Sequence, residues 1–238
     1  MKKQRLALFI GSAAAAVVTV AVLVYLFAFY LPDKREAEER ERLVREYYEN
    51  KYVLYREENE RYAPFEVDVA FLGDSLTDGY DLAAYYPQYV TANRGIGGET
   101  SHGLEARMQV SLYDLKPKVA VILIGGNNLD TMMENYERML IGVKETLPNT
   151  KVVLVSLTAM GGDYAKKNAL AAYNNVIIKK LADKHGFAFV DVYTPLCDLE
   201  ADEIAPAYTS DSVHLTARGY EVLTAAITPA IEAALGNN

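Results

Sequence analysis

A chain of 238 residues with a formal net charge of −8 is long enough for one globular domain and an appended segment. The surplus of acidic residues argues against nucleic acid as a partner, because binding to phosphates requires a surplus of Lys and Arg. The single cysteine excludes an internal disulfide and a zinc site built on cysteines.

The chain begins with a short basic tail and a long uncharged run. Lys2, Lys3 and Arg5 precede residues 6–31, which carry no charged side chain and would reach roughly 39 Å as a helix. That length exceeds the ~30 Å hydrocarbon core of a bilayer. It predicts one transmembrane helix, an uncleaved signal anchor in the cell membrane with the rest of the chain outside the cytoplasm. A cleavable signal peptide is the alternative, because the small residues 12–16 could admit a peptidase.

A charged segment follows the uncharged run. Residues 33–64 interleave acids and bases, which predicts a solvated helix that ends before Pro64. Tyrosines at spacings of three and four along it would pack against the following domain or against a second copy of the helix. The predicted parts are a membrane anchor at 1–32, a juxtamembrane helix at 33–64 and a folded domain at 65–238.

From residue 67 onward, apolar runs alternate with helical segments, which is typical of βα units around a parallel sheet. The predicted strands are 67–72, 89–93, 119–124, 151–157 and 188–192. The predicted helices are 82–86, 101–115, 129–147, 165–185 and 216–235. Right-handed crossovers between parallel strands then predict an α/β fold, a three-layer α/β/α sandwich.

A polar motif follows the first predicted strand, at the edge of the sheet where ligands bind in open α/β folds. The motif is Gly73-Asp74-Ser75-Leu76, and it brings Ser75 to that edge. Because Thr77 replaces the second glycine of a Gly-x-Ser-x-Gly elbow, the motif is not that of an α/β-hydrolase. Taken alone, the motif could equally be a turn in which Asp74 or Ser75 caps a helix.

An activated serine needs a base, and the sequence offers three histidines. His185 stands at the predicted end of a helix, where a structural role is favoured. His102 follows a glycine-rich loop, so it could line a pocket or lie at its rim. His214 follows Asp211 by three residues, a spacing that lets the carboxylate reach the imidazole and orient it as a base. The alternative is that Asp211 or Thr216 caps the last helix.

Two further loops offer hydrogen-bond donors for a negatively charged oxygen. Residues 93–100 contain three glycines and lead into a helix, so their amides could face negative charge. Residues 124–128 bring Asn127 to the same edge of the sheet. Each loop could also be an ordinary turn. Because the chain has no phosphate-binding glycine motif and no histidine pair at metal-ligand spacing, we predict neither a nucleotide nor a metal cofactor.

The serine motif, the two loops and the pair of Asp211 and His214 follow one another along the chain as the four sequence blocks of the SGNH hydrolases do. The sequence therefore resembles this family, also called GDSL esterases and lipases, over residues 67–235. Residues 93–98 also resemble the branch that includes platelet-activating-factor-acetylhydrolase-like esterases. The resemblance implies a flavodoxin-like five-stranded parallel sheet and no cofactor. It assigns Ser75 as nucleophile, His214 as base and Asp211 as the acid that orients the base. It assigns the oxyanion hole to the Ser75 N–H, the Gly98 N–H and Asn127 Nδ2.

The same resemblance implies ester hydrolysis through an acyl-enzyme but leaves the substrate open. We expect short acyl groups, acetyl in particular, on cell-envelope or carbohydrate substrates. Lysophospholipase, thioesterase or acyltransferase activity on the same triad is the alternative, and a non-catalytic binding protein is another. Asn128 stands where the family commonly has aspartate. Four residues could form an acyl pocket or simply pack: Met132, Met133, Tyr164 and Tyr208. The sequence predicts no oligomeric state.

Overall fold

The computed structural model describes Val18, Tyr25, Ala28 and residues 30–236. The chain forms two compact units, residues 1–50 and 51–238. The predicted membrane span, residues 6–31, lies almost entirely outside the described residues. None of the helices that are described is long and apolar enough to cross a membrane.

The predicted charged helix is present as α1, Leu31–Asn59, and it ends before the predicted limit at Pro64. Within the first unit its surface carries exposed ion pairs, such as the one between Arg42 and Glu39 at 2.5 Å. Exposed pairs of this kind each stabilise a helix by less than about 1 kcal/mol. From Lys51 onward, the helix belongs to the second unit.

A sheet of five parallel strands forms the centre of the second unit, as predicted, in the order β2-β1-β3-β4-β5. The strands are β1 Val69–Gly73, β2 Thr91–Gly95, β3 Val119–Leu123, β4 Lys151–Val155 and β5 Ala188–Val190. Gly73 pairs with Gly95 on one side and with Leu123 on the other. The carboxyl ends of β1, β2 and β3 are therefore level, at one edge of the sheet.

Helices cover both faces of this sheet. They are α2 Ser75–Asp78, α3 Leu82–Tyr85, α4 Ser101–Ala106, α5 Met133–Thr146, α6 Asn168–His185, α7 Tyr193–Leu196 and α8 Ala217–Leu235. A short antiparallel pair, β6 Cys197–Asp198 and β7 Glu203–Ile204, lies before α8.

Alternate residues of β1 enter two separate hydrophobic cores. Leu72 packs with Leu104 of α4, Tyr136 of α5 and Ile178 of α6 in one core. Phe71 belongs to the other core, with residues of α3 and α8. All five residues of β1 are buried, as expected for a parallel strand with helices on both sides. The fold is the predicted three-layer α/β/α sandwich.

One predicted helix, 101–115, is interrupted in the structure. Helix α4 ends at Ala106 and a short π-helix, Gln109–Tyr113, follows it. Between them the Arg107 side chain turns inward and donates hydrogen bonds to the carbonyl oxygens of Gly73 and Arg94. The apolar spacing of the segment is compatible with a continuous helix, so the sequence pattern did not reveal this break.

Candidate active site

Ser75 is the first residue of α2, and only Asp74 separates it from the end of β1. The turn requires a glycine at position 73, because a Cβ there would collide with the Thr77 side chain and with the Leu123 carbonyl oxygen. Asp74 caps α2, its Oδ1 accepting a hydrogen bond from the Leu76 N–H at 3.1 Å. The serine therefore lies at the carboxyl end of the central strands, as the sequence predicts.

The structure brings Ser75, His214 and Asp211 together, although Ser75 and His214 are 139 residues apart in sequence. His214 Nε2 lies 3.0 Å from Ser75 Oγ, and His214 Nδ1 lies 2.7 Å from Asp211 Oδ2. The other oxygen of Asp211 accepts the backbone N–H of His214 at 2.7 Å and that of Val213 at 3.1 Å. These backbone bonds fix the carboxylate relative to the ring.

This arrangement determines the tautomer of His214. With the Nδ1–H donated to Asp211, Nε2 is left with a lone pair that accepts the Ser75 hydroxyl proton. The hydrogen bonds from His214 lower the pKa of Asp211 to about 2, so this carboxyl stays ionised at neutral pH. Thr216, and not Asp211, caps α8. The Asp211 carboxylate is therefore not used as a helix cap, and it can orient the His214 ring.

The two predicted oxyanion loops are joined to each other. Asn127 Nδ2 donates a hydrogen bond to the carbonyl oxygen of Glu99 at 2.8 Å, and Glu99 directly follows Gly98. This bond uses one of the two N–H groups of the Asn127 amide, and the other remains for a ligand. Gly98 is exposed and has a positive φ of 76°, a backbone conformation that favours glycine.

Asn128, where the family commonly has aspartate, makes a complete set of polar contacts. Its Oδ1 accepts the Ser101 N–H at 3.1 Å, and its Nδ2 donates to Ser101 Oγ at 3.0 Å. The amide thus ties the loop after β3 to the first turn of α4. A neutral side chain can hold Asn127 in place here because both of its polar atoms are bonded.

Sequence reasoning missed Arg107, which is buried and contacts the predicted oxyanion loop, residues 93–100. Its Nε donates to Glu99 Oε2 at 3.0 Å, its Nη1 to the Arg94 carbonyl oxygen at 2.9 Å and its Nη2 to the Gly73 carbonyl oxygen at 3.0 Å. A signal was present in the sequence. Position 107 is three residues after the apolar Leu104, so it falls on the core face of the predicted helix.

A cavity of about 120 Å³ opens beside Ser75. Its lining residues are Asp74, Ser75, Leu76, Gly126, Asn127, Thr158, Met160, Tyr164, Lys167 and Val213. Burial raises the pKa of Asp74 to about 6. Of the four residues suggested for an acyl pocket, Tyr164 lines this cavity, whereas Met132 is fully buried in the core beneath Gly125.

The other two histidines have different surroundings. His185 ends α6 before Gly186, which has a φ of 74°, and its Nε2 lies 3.0 Å from Glu137 Oε1, so its predicted structural role is confirmed. His102 is exposed, and its Nδ1 accepts a hydrogen bond from Asn128 Nδ2 at 3.3 Å. Within the described part of the chain, no group of three or more His, Cys, Asp or Glu residues could hold a metal ion.

Residues 71–222, well over half of the chain, match the model of the GDSL-like Lipase/Acylhydrolase family. Among solved structures, a GDSL-like lipase from Bacteroides thetaiotaomicron is 28% identical with a TM-score of 0.66, and the match covers 77% of this chain and 98% of that one. No curated protein sequence gives a significant match.

Two more distant structures share the fold. A Streptococcus pneumonia protein named for platelet activating factor is 23% identical, with a TM-score of 0.74 and coverage of 83% of this chain and 99% of that one. An acetylxylan esterase from Geobacillus stearothermophilus is 19% identical, with a TM-score of 0.60 and coverage of 71% and 95%. The chain therefore belongs to the GDSL-like lipase/acylhydrolase family, the SGNH hydrolases that its sequence resembles, and it is a carboxylic ester hydrolase.

Proposed function

We propose that this protein is a membrane-anchored serine esterase that removes short acyl groups, acetyl in particular, from carbohydrate or other cell-envelope esters. The observation that carries the proposal is the hydrogen-bonded series from Ser75 Oγ through His214 to Asp211, at 3.0 and 2.7 Å. A serine, a histidine and a carboxylate in this order are the elements of nucleophilic acyl transfer.

In the proposed reaction, Ser75 Oγ attacks the ester carbonyl carbon while His214 Nε2 takes the hydroxyl proton. Asp211 stabilises the imidazolium that forms. The N–H groups of Ser75 and Gly98 and the Asn127 amide bind the developing oxyanion. His214 then gives the proton to the leaving alcohol, and water, activated by the same base, hydrolyses the acyl-enzyme.

The size of the cavity supports the preference for a short acyl group. Its volume is about 120 Å³. An engineered protein cavity of ~150 Å³ holds one benzene molecule, so an acetyl group fits here and a long acyl chain would have to extend into solvent. The same fold also serves an acetylxylan esterase, which makes acetylated carbohydrate a suitable first substrate class.

The anchoring and the location outside the cytoplasm are inferred from residues 6–31, whose uncharged length exceeds the hydrocarbon core of a bilayer. Membrane fractions of cells that express the full chain should retain the protein after a carbonate wash. Protease added on the outer side of the cytoplasmic membrane should cleave residues 51–238. Release by the wash, or full protection from the protease, would contradict this part of the proposal.

The nucleophile and the acyl length can be tested together. The full chain in neutral detergent, treated with a fluorophosphonate, should gain the mass of one adduct, and Ser75→Ala should gain none. Among p-nitrophenyl esters from acetyl to decanoyl, the acetyl ester should be hydrolysed fastest, and Ser75→Ala should be inactive. A folded protein that forms no adduct would contradict the serine mechanism, and fastest turnover of decanoate would contradict the short-acyl preference.

A further inference from the structure

The rim of the cavity beside Ser75 carries an aromatic ring and an ammonium group next to each other. Tyr164 and Lys167 both line the cavity, and Lys167 Nζ lies 5.6 Å from the centre of the Tyr164 ring. The two residues belong to one 3₁₀-helix, Gly162–Lys167, in which side chains three residues apart lie on the same side. Tyr164 is 47% exposed, so its ring is available to a ligand.

Lys167 is the one basic residue among those that line the cavity. Within residues 30–236, no carboxylate forms an ion pair with its ammonium group. Two acids near this helix have other partners: Glu203 accepts the Gly162 N–H at 2.9 Å, and Asp202 accepts the Tyr193 hydroxyl at 3.2 Å. Asp163 belongs to the same 3₁₀-helix and is exposed to solvent. Asp74 also lines the cavity and is ionised at neutral pH, but it is buried, whereas Lys167 is exposed, so the ammonium group is the charge that a ligand meets at the rim.

We propose that Tyr164 and Lys167, at the exposed rim of the cavity and outside the interior that the acetyl group fills, form a subsite for the alcohol part of the ester, and that this part is a sugar ring bearing a negative charge. The sugar would pack on the exposed tyrosine ring, and its carboxylate or phosphate would pair with the ammonium group. An aromatic ring presents a flat apolar surface that the C–H face of a sugar can cover. The inference rests on the proposed esterase function of Ser75 and names the substrate class of that site.

The anionic group could come from an acidic sugar or from a glycerol phosphate of lipid origin. Two matched pairs of acetyl esters distinguish these sources: an acetylated methyl glucuronide with the corresponding glucoside, and an acetylated glycerol phosphate with the corresponding acetyl glycerol. Within each pair the reacting ester is the same, and the anionic member carries a carboxylate or a phosphate that the neutral member lacks. The ratio of kcat/KM between the two members measures the effect of that group, and the dependence of the ratio on salt and on Lys167 isolates the contribution of charge.

For the full chain in neutral detergent, we expect the glucuronide to be hydrolysed with a kcat/KM roughly two- to five-fold higher than the glucoside, as one exposed ion pair allows. Adding 0.5 M NaCl should bring the ratio towards one, because salt screens an exposed pair. Lys167→Gln should also bring it towards one. The matched control is Lys166→Gln, which removes an exposed lysine outside the cavity lining and should keep the ratio.

The aromatic half of the subsite has its own variants. Tyr164→Ala should lower kcat/KM for both sugar esters more than for both glycerol esters, and Tyr164→Phe, which keeps the ring, should restore much of the loss. If Tyr164→Ala lowered kcat/KM for the glycerol esters as much as for the sugar esters, or if Tyr164→Phe restored none of the loss, the assignment of a sugar to this ring would be wrong. A charge preference confined to the glycerol pair would do the same, and would identify a lipid-derived phosphate.

The outcomes separate this inference from the proposed function. Hydrolysis of the neutral esters, absent in Ser75→Ala, tests the esterase by itself. If the neutral esters are hydrolysed and the charge ratio is one, or if a raised ratio persists in Lys167→Gln, the anionic subsite is wrong and the esterase stands. If the fluorophosphonate forms no adduct with the folded chain, the esterase proposal fails, and the inference that rests on it fails with it.

Discussion

Arg107 Nη2 donates a hydrogen bond at 3.0 Å to the carbonyl oxygen of Gly73, two residues before Ser75. The same guanidinium donates through Nε to Glu99, the residue after Gly98. Because the Glu99 carbonyl oxygen in turn accepts a hydrogen bond from the Asn127 amide, one buried cation is linked to the turn before Ser75 and to both predicted oxyanion loops. Arg107 is therefore a positioning residue for the proposed reaction, and it does not touch the reacting atoms.

This relationship predicts a split between stability and activity. Arg107→Gln leaves the buried Glu99 carboxylate without its cation, and we expect the free energy of unfolding to fall by roughly 3–5 kcal/mol. Arg107→Gln combined with Glu99→Gln removes both charges and should recover much of that stability. The double variant should still have a lower kcat at unchanged fold, because the links to the Gly73 and Arg94 carbonyl oxygens stay lost.

Urea unfolding and kcat measured on the same preparations check this prediction. The control is Arg138→Gln, which removes an exposed arginine paired with Glu105 and should cost less than about 1 kcal/mol with no change in kcat. Recovery of kcat together with stability in the double variant would mean that Arg107 serves folding alone.

Gly98 and Gly186 form a natural matched pair. Their φ angles are 76° and 74°, and a Cβ at either position would meet no atom within 4 Å. An alanine at each should therefore cost a similar 1–2 kcal/mol of backbone strain, seen as a similar fall in Tm. Only Gly98→Ala should also lower kcat, because its strain acts on the loop that we propose supplies an oxyanion donor. Equal kcat values for the two variants would exclude Gly98 from the oxyanion hole.

Asp211→Asn should lower kcat with little effect on stability. In serine proteases the corresponding change costs ~10⁴-fold in kcat, because the amide can hold the wrong histidine tautomer. The Asp211 side chain is 53% exposed, so little folding energy depends on its charge. Asp183→Asn, which removes another exposed carboxylate paired with a lysine, is the control for kcat. A kcat within two-fold of the unsubstituted protein would remove Asp211 from the triad.

Much of the site could be predicted because it depends on local sequence order. Strand ends carry Ser75 and Asn127 to one edge of a parallel sheet, and a three-residue spacing is enough for Asp211 to reach His214. The contacts of Arg107 could not be predicted in the same way. The carbonyl oxygens that accept its hydrogen bonds come from two separate strands, which are distant from it in sequence. Backbone acceptors leave no mark on the sequence.

The raised pKa of Asp74 predicts how the free energy of unfolding changes with pH. Burial raises this pKa from 3.8 to about 6, so the folded protein holds a proton that the unfolded chain has already lost between those values. The free energy of unfolding therefore falls as pH rises from about 4 to about 6. Asp74→Asn keeps an oxygen that can accept the Leu76 N–H but has no proton to lose.

We expect the stability of Asp74→Asn relative to the unsubstituted protein to rise across this window, by up to roughly 3 kcal/mol, and to stay constant above it. Urea unfolding of both proteins at pH 4, 5, 6, 7 and 8 gives the difference directly. A difference that does not change with pH would mean that Asp74 ionises in the folded protein as it does in the unfolded chain.

The end of α1 provides a test of the predicted domain boundary at residue 65. Tyr55 is buried and its hydroxyl donates to the Gly95 carbonyl oxygen at 2.6 Å, at the end of β2. Glu58 forms an ion pair with the buried Arg94, and Asn59 Oδ1 accepts from the same guanidinium at 3.0 Å. A fragment that begins at residue 65 lacks both of these partners, and it also lacks Tyr55, whose ring centre lies 4.7 Å from the Arg94 guanidinium.

Residues 51–238 alone should therefore fold cooperatively, whereas residues 65–238 should be destabilised by several kcal/mol, since the fragment loses the burial of Tyr55 and the contacts of α1 with Arg94 and Gly95. Tyr55→Phe in the full chain should cost about 1–2 kcal/mol through the loss of one buried hydrogen bond. Tyr173→Phe, at a residue that is 63% exposed, should cost almost nothing. If the two fragments unfold at the same urea concentration, the boundary at residue 65 is right and the helix end merely rests on the folded domain.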